Sequence, residues 1–285
     1  MSVYEDEILA WRRDRLVRLT ASGSWLSLIG RFDLPLGEST VGSDPSCAIQ
    51  LPARETPLQL GRFVREQRRV QFVPGLLAEV GIRRAATRSS EPMSGAIDVK
   101  TDAEGDPDAI VFGTLSLEVM QRGDSFAVRV RDSESAALRN FAGIDHYPID
   151  PSWRIRARLV PYTPEKRIDL LYDSGEPQSY RSPGAAVFES DGVEYRIDPV
   201  FDGPRPRLYV LFADRSNRDE TYGAGRFLYA PLPEDGHVIL DFNQAFNPPC
   251  AFTPFAVCPL PPAQNRLALR IEAGEKRPRA IDSAP

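Results

Sequence analysis

RIRARL, residues Arg154 to Leu159, sets arginine at 154, 156 and 158 and an apolar residue at 155, 157 and 159. Side chains that alternate with a period of two lie on opposite faces of an extended chain, so this stretch reads as a strand with one wet and one buried side. Working outward, Glu189-Ser190-Asp191-Gly192-Val193-Glu194 is a hairpin with Asp-Gly at its turn, and Asp235-Gly236, between Leu232 and Val238, is a second such signal. Further strands are expected at Ile168 to Tyr172, Ala186 to Ser190, Glu194 to Pro199, Arg207 to Ala213, Gly225 to Ala230 and His237 to Phe242. Together they predict a C-terminal antiparallel β-sheet or barrel over 153–277, followed by a frayed tail at 278–285.

The first half follows the same logic. Short runs at Trp25 to Leu28, Ser39 to Gly42, Ala48 to Leu51, Arg69 to Val73, Glu79 to Arg83, Ala96 to Val99, Ile110 to Val119 and Phe126 to Val130 are separated by Gly, Pro, Asp and Ser turns. That spacing predicts an antiparallel β-sandwich over 23–132. A connector, 133–152, follows, with a short helix capped by Asp132 or Ser133. Residues 1–22 form an N-terminal helix: Tyr4, Ile8, Trp11, Leu16 and Leu19 share one stripe, expected to lie on the sandwich, and the arginines face solvent. The fold class is therefore mainly β.

Composition narrows the function classes. With 35 basic and 40 acidic residues the chain carries a net charge of −5, so no global basic field speaks for nucleic acid. No apolar run approaches the roughly 18 residues of a membrane span, and the start lacks a secretory pattern. The expectation is a cytoplasmic protein with neither nucleic acid nor membrane as partner. Three cysteines fit a reducing compartment better than a disulfide framework.

Chemistry concentrates between Thr221 and Lys276, where glycines flank an arginine and asparagines lie among aromatics and prolines. Prolines there exclude regular helix and central strand. Cys250 and Cys258 have too few neighbouring ligands for zinc, so no metal is expected. No phosphate loop, dinucleotide fingerprint or serine elbow occurs, and no motif assigns a cofactor. What remains is a pocket for a small polar or anionic ligand. Tyr222, Arg226, Asn243, Asn247, Asn265, Arg266 and Lys276 are the candidate binding residues, since they offer a guanidinium fork and short-reach donors and acceptors. Asp241, Glu275 and His146 are the candidate acid/base residues. The structural alternative pairs Arg226 with Asp241 or Glu275 and spends the asparagines on turn backbone.

Two resemblances sharpen these expectations. LPLGESTVGSDPSCAIQLP, Leu34 to Pro52, resembles the opening strands of a forkhead-associated domain, and TLSLEVMQRGDSFAVRV, Thr114 to Val130, looks like its closing hairpin. That family binds phosphate through an arginine directly after the glycine; here Ser43 follows Gly42, which weighs against phosphothreonine binding. The resemblance implies a peptide-binding or adaptor module, with Arg62, Arg65, Arg68 and Arg69 as the local basic patch. From Trp11 and Trp25-Leu26, through Arg122-Gly123-Asp124, Phe141 and Tyr147-Pro148, to the Asn-Pro-Pro-Cys-Ala-Phe block and Ala273 to Lys276, the chain resembles an uncharacterised bacterial family, domain of unknown function 1684. This likeness implies no particular activity.

Overall fold

The structure, a computed structural model, describes residues 2–53, 56–76, 78–172, 177–203 and 205–279. The chain divides into two compact units, whose described residues are 2–20 with 140–279, and 21–139. The N-terminal helix α1, Val3–Thr20, thus groups with the C-terminal half and not with the sandwich on which it was expected to lie. Its inward row is also different. Ile8 and Leu19 are buried, Arg12 and Arg15 turn inward on the same row, and Leu16 and Val17 are exposed. Positions 8, 12, 15 and 19 follow the helical period as well as the expected stripe does. Carboxylate and carbonyl partners in the same unit draw the two arginines in.

Unit 21–139 is a two-sheet sandwich. Its strands are β1 (Leu28–Asp33), β2 (Gly37–Gly42), β3 (Ile49–Gln50), β4 (Gly61–Glu66), β5 (Arg69–Pro74), β6 (Gly81–Arg83), β7 (Ser90–Pro92), β8 (Ile97–Asp98), β9 (Ala109–Phe112), β10 (Leu115–Arg122) and β11 (Ser125–Asp132). One sheet runs β1-β11-β10-β9-β6-β7 and the other β3-β2-β4-β5-β8. Pairing is antiparallel except for β2 with β3. Val41, Phe63 and Phe72 from one sheet and Ile82, Ile110, Leu117 and Val128 from the other share a single buried core. The strand expected from Trp25 begins only at Leu28, because Trp25–Ser27 is a turn of 3-10 helix. A four-residue helix, α2 (Ala136–Arg139), closes the unit, with the Ser135 hydroxyl accepting from Leu138 N at 3.1 Å.

In the other unit, β12 (Arg154–Leu171), β13 (Pro177–Ser190), β14 (Val193–Ile197) and β18 (His237–Asp241) form a sheet ordered β14-β13-β12-β18. A second sheet runs β15 (Val200–Phe201), β16 (Arg207–Phe212), β17 (Arg226–Pro231). All these pairs are antiparallel and, among the described residues, both sheets are open, so a sheet and not a barrel is realised. The alternation read in RIRARL holds, with Arg154, Arg156 and Arg158 exposed and Ala157 fully buried. That strand is longer than expected, running on to Leu171 with a register shift between Pro161 and Lys166. Both Asp-Gly turns have two positive φ values, 51° and 74° at 191–192 and 47° and 71° at 235–236, as a type I′ turn requires. The core gathers Leu208, Val210, Phe212, Leu228, Leu240 and Phe242.

Among the described residues after β18 the chain makes 3-10 turns and single-residue bridges, Phe227 with Phe246, Ala213 with Arg266, Tyr172 with Pro259 and His146 with Glu275, and no further strand or α-helix. This clasp stitches the strand ends of its unit together. No helix among the described residues is long and apolar enough to cross a membrane.

Candidate functional site

The bridge between His146 and Glu275 organises the most unusual polar cluster of this unit. Tyr147 N donates to Gly274 O at 3.0 Å and Lys276 N donates to Asp145 O at 2.8 Å. These flanking bonds make 146 and 275 a non-hydrogen-bonded antiparallel pair, the geometry in which two side chains approach on one face. Gly274 sets up the approach. Its φ is +79°, and a Cβ there would lie 2.5 Å from Ala245 O. Only glycine lets the chain pass this close and turn Glu275 inward.

Glu275 is fully buried, and both carboxylate oxygens are engaged. Oε1 accepts from Arg15 Nε at 2.9 Å; Oε2 accepts from Asn247 N at 2.7 Å and Asn247 Nδ2 at 3.0 Å. Arg15 also donates to Asn247 O at 3.1 Å, and its guanidinium stacks 4.9 Å from the Phe246 ring centroid. One turn earlier on α1, Arg12 Nη2 donates to Tyr147 O at 3.0 Å. Two arginines from the helix therefore face one carboxylate.

Three atoms in the cluster are buried without a hydrogen-bond partner: Arg12 Nε, His146 Nε2 and Asn247 Oδ1. Their chemistry follows from their neighbours. His146 Nδ1 lies 2.9 Å from Ile144 O, and a carbonyl only accepts, so Nδ1 carries the proton and Nε2 the lone pair. Burial, with Arg12 second, lowers the His146 pKa and favours this neutral form. Asn247 Nδ2 donates to Glu275 and, at 2.7 Å, to Lys276 O, which fixes the amide with Oδ1 as the idle acceptor. The cluster thus holds one idle donor and two idle acceptors, with a net charge of +1 from two arginines and one carboxylate.

Lys276 faces a neighbouring group. Its Nζ donates to Glu220 Oε1 at 2.8 Å and lies 4.4 Å from the Tyr147 ring centroid. Tyr147 OH donates to Glu220 Oε2 at 3.0 Å. The hydrogen bond from Lys276, then that from Tyr147, holds the Glu220 carboxyl down at about 2. Burial, then the same carboxylate, pushes the Tyr147 hydroxyl up to about 12.

The other residues singled out by sequence lie in separate networks. Arg226 is fully buried, with Nη2 2.6 Å from Asp214 Oδ2 and 2.9 Å from Ile271 O, and with Nη1 donating to Ala273 O. Its acidic partner is therefore neither Asp241 nor Glu275. Asp241 accepts from Tyr4 OH at 2.8 Å and from Asn243 N at 3.2 Å. Asn243 Nδ2 donates back to Tyr4 OH at 2.9 Å and to Asp150 O at 2.8 Å. Burial, then Asp241, raises the Tyr4 pKa. Asn265 holds Asp198 N, Asp198 O and Leu211 O, and Tyr222 OH donates to Cys250 O at 3.1 Å. Arg266 is exposed beyond its bridge to Ala213.

Of the predicted set, His146, Asn247 and Glu275 come together, with Lys276 adjacent through its backbone. Arg12, Arg15, Tyr147, Glu220 and Asp214 complete these networks without having been singled out. A signal for the first two was present, since 12 and 15 fall on the row of Ile8 and Leu19. No group of three or more His, Cys, Asp or Glu among the described residues is placed to hold a metal ion.

Residues 139–276 match the family described as "Protein of unknown function (DUF1684)". The resemblance seen in the sequence spans nearly the whole chain, whereas this match leaves the residues before 139 outside it. Among solved structures, the chain is similar to an uncharacterized protein of Haloarcula marismortui determined by solution NMR, at 28% identity, covering 48% of this chain and 78% of that one with a TM-score of 0.41. No curated protein matches the chain.

Proposed function

We propose that the cluster of Arg12, His146, Asn247 and Glu275 binds a small polar or anionic metabolite, with His146 Nε2 as the acid/base group. The observation that carries this reading is the trio of idle buried atoms on side chains grouped around one bridged pair. An unsatisfied buried polar atom costs about 1–3 kcal/mol, and a ligand that pairs it recovers that cost. The complementary molecule offers an acceptor, such as a carboxylate or carbonyl oxygen, to Arg12 Nε. It offers a hydroxyl or amine hydrogen to His146 Nε2 or Asn247 Oδ1. The surplus positive charge favours a carboxylate. Glu275 serves here as the counter-charge that orients Arg15 and Asn247.

The test is thermal denaturation of the protein against hydroxy- and amino-carboxylates, plain carboxylates and neutral polyols. A ligand that binds only the folded state at a hundred times its Kd stabilises it by about 2.7 kcal/mol. Hydroxy- or amino-carboxylates are expected to raise Tm, and Arg12→Met and His146→Phe, if folded, to abolish the rise. A rise that survives both substitutions refutes the site, and no rise with any compound leaves the cluster a structural clasp.

A second reading, a forkhead-associated-like binding module in the sandwich, is favoured by two features. The strand ending at Gly42 runs parallel to the strand of Ile49, and a surface cleft of about 320 Å³ lined by Leu36, Arg65, Gln67, Arg68 and Asp124 opens on the same unit. Against it, Arg62 pairs with Glu38 at 3.2 Å, Arg69 with Asp98 at 2.8 Å and Arg68 with Asp124 at 3.6 Å, while Arg65 donates to the carbonyls of Leu34, Gln67 and Asp124. Three of the four arginines are thus paired with carboxylates of the same unit, and the donors of the fourth are spent on carbonyls. Phosphopeptides in the same thermal panel decide this reading: a rise with them alone supports the module over the metabolite site.

A further inference from the structure

We infer that Cys250 and Cys258 form an intramolecular disulfide site in the clasp, taking a low-molecular-weight disulfide as oxidant. Neither cysteine is in a disulfide, Cys250 being half-buried and Cys258 only 2% exposed. The backbone N–H of Cys250 donates to the Cys258 sulfur at 3.2 Å. That contact sets the geometry. The Cys250 Cα is about 1.46 Å from that nitrogen, so the Cys258 sulfur lies within about 4.7 Å of that Cα, inside the roughly 4.4–6.8 Å span across which a disulfide joins two Cα atoms.

The chemistry is two successive thiol–disulfide exchanges. The more accessible Cys250 loses its proton and its thiolate attacks one sulfur of the external disulfide, whose S–S bond breaks and releases one small thiol. The Cys258 thiolate then attacks the Cys250 sulfur of the mixed disulfide and expels the second small thiol. Two protein thiols give up two protons and two electrons, and the oxidant is reduced to two thiols. The ring that closes contains Phe252. Its centroid lies 5.8 Å from the Arg15 guanidinium and 6.3 Å from the Phe141 ring, so oxidation ties down a segment packed against Arg15. The cysteine chemistry stands independently of the ligand reading.

The experiment uses the folded full chain carrying Cys47→Ser, treated with excess oxidised glutathione without denaturant, then thiol titration and peptide mapping. Both remaining thiols are expected to disappear together, with a linked Cys250–Cys258 peptide, no retained glutathione and full recovery on reduction. Adding Cys258→Ser is expected to trap one glutathione on Cys250, since the second exchange has no attacking sulfur. Glutathione retained on the protein with both cysteines present, or both thiols surviving the treatment, overturns the inference. If the Cys258→Ser protein does not fold, the Cys47→Ser measurement decides by the presence or absence of the linked peptide.

Discussion

Removing the charge of Asp214 is the perturbation whose cost follows most directly from the structure. Asp214 and Arg226 are both 0% exposed at the side chain and 2.6 Å apart. The other Asp214 oxygen accepts from Ser216 N at 2.7 Å, and Arg226 reaches the carbonyls of Ile271 and Ala273. In Asp214→Asn the volume is kept and Arg226 is left as a buried cation served only by neutral acceptors. Breaking a buried pair from one side costs about 3–5 kcal/mol, against about 5–15 kcal/mol for the stability of a whole domain. At a urea m-value of about 2 kcal/mol/M the midpoint falls by about 2 M.

The assay follows tryptophan fluorescence in a Trp25→Phe background, where Trp11 and Trp153, both in the unit of Arg226, are the only reporters. The double substitution Asp214→Leu with Arg226→Met removes both charges and is compared with Asp214→Leu and Arg226→Met made singly. It is expected to be more stable than either single variant but to stay below wild type by several kcal/mol (about 1 for the lost cap on Ser216 N and about 1–3 for each of the Ile271 and Ala273 carbonyls that lose Arg226). Single variants that each cost under about 1 kcal/mol, or a double variant whose loss equals the sum of the two, would refute the claim that these charges stabilise each other.

Three further outcomes test the clasp. Gly274→Ala forces a side chain onto a φ of +79° with Cβ 2.5 Å from Ala245 O, and should cost about 3 kcal/mol, read as a Tm fall of about 6–10 °C. Glu220, whose carboxyl is lowered from 4.5 to about 2, contributes stability above pH 4.5 that is lost as pH falls toward 2; Glu220→Gln should flatten that part of a stability profile measured by denaturation between pH 2 and pH 6. Arg15→Leu strands the fully buried Glu275 without its cation and should cost about 3 kcal/mol, seen as an earlier urea transition in Trp11 fluorescence; an unchanged midpoint would mean that the arginine is not needed there.

The mainly-β fold was legible because alternation and turn chemistry are local. RIRARL needs no distant residue to be read as a strand, and the two Asp-Gly pairs specify their turns from adjacent positions. The polar character of Thr221 to Lys276 was equally plain, and the need of its asparagines and carboxylates for partners follows from the cost of burying them alone. The identity of those partners was not. Glu275 meets Arg15 across 260 positions of sequence and Asp241 meets Tyr4 across 237, while Arg226 takes Asp214, only 12 away, over either of the carboxylates expected for it. Local preference cannot rank such choices. They depend on which row of α1 turns inward and on the register of single-residue bridges, both of which are settled only when the packed unit forms. The sequence by itself determined strands, turns and a clasp that had to be satisfied; the tertiary structure decided which charges satisfy it and which buried atoms, Arg12 Nε, His146 Nε2, Asn247 Oδ1 and Arg226 Nε among them, are left over.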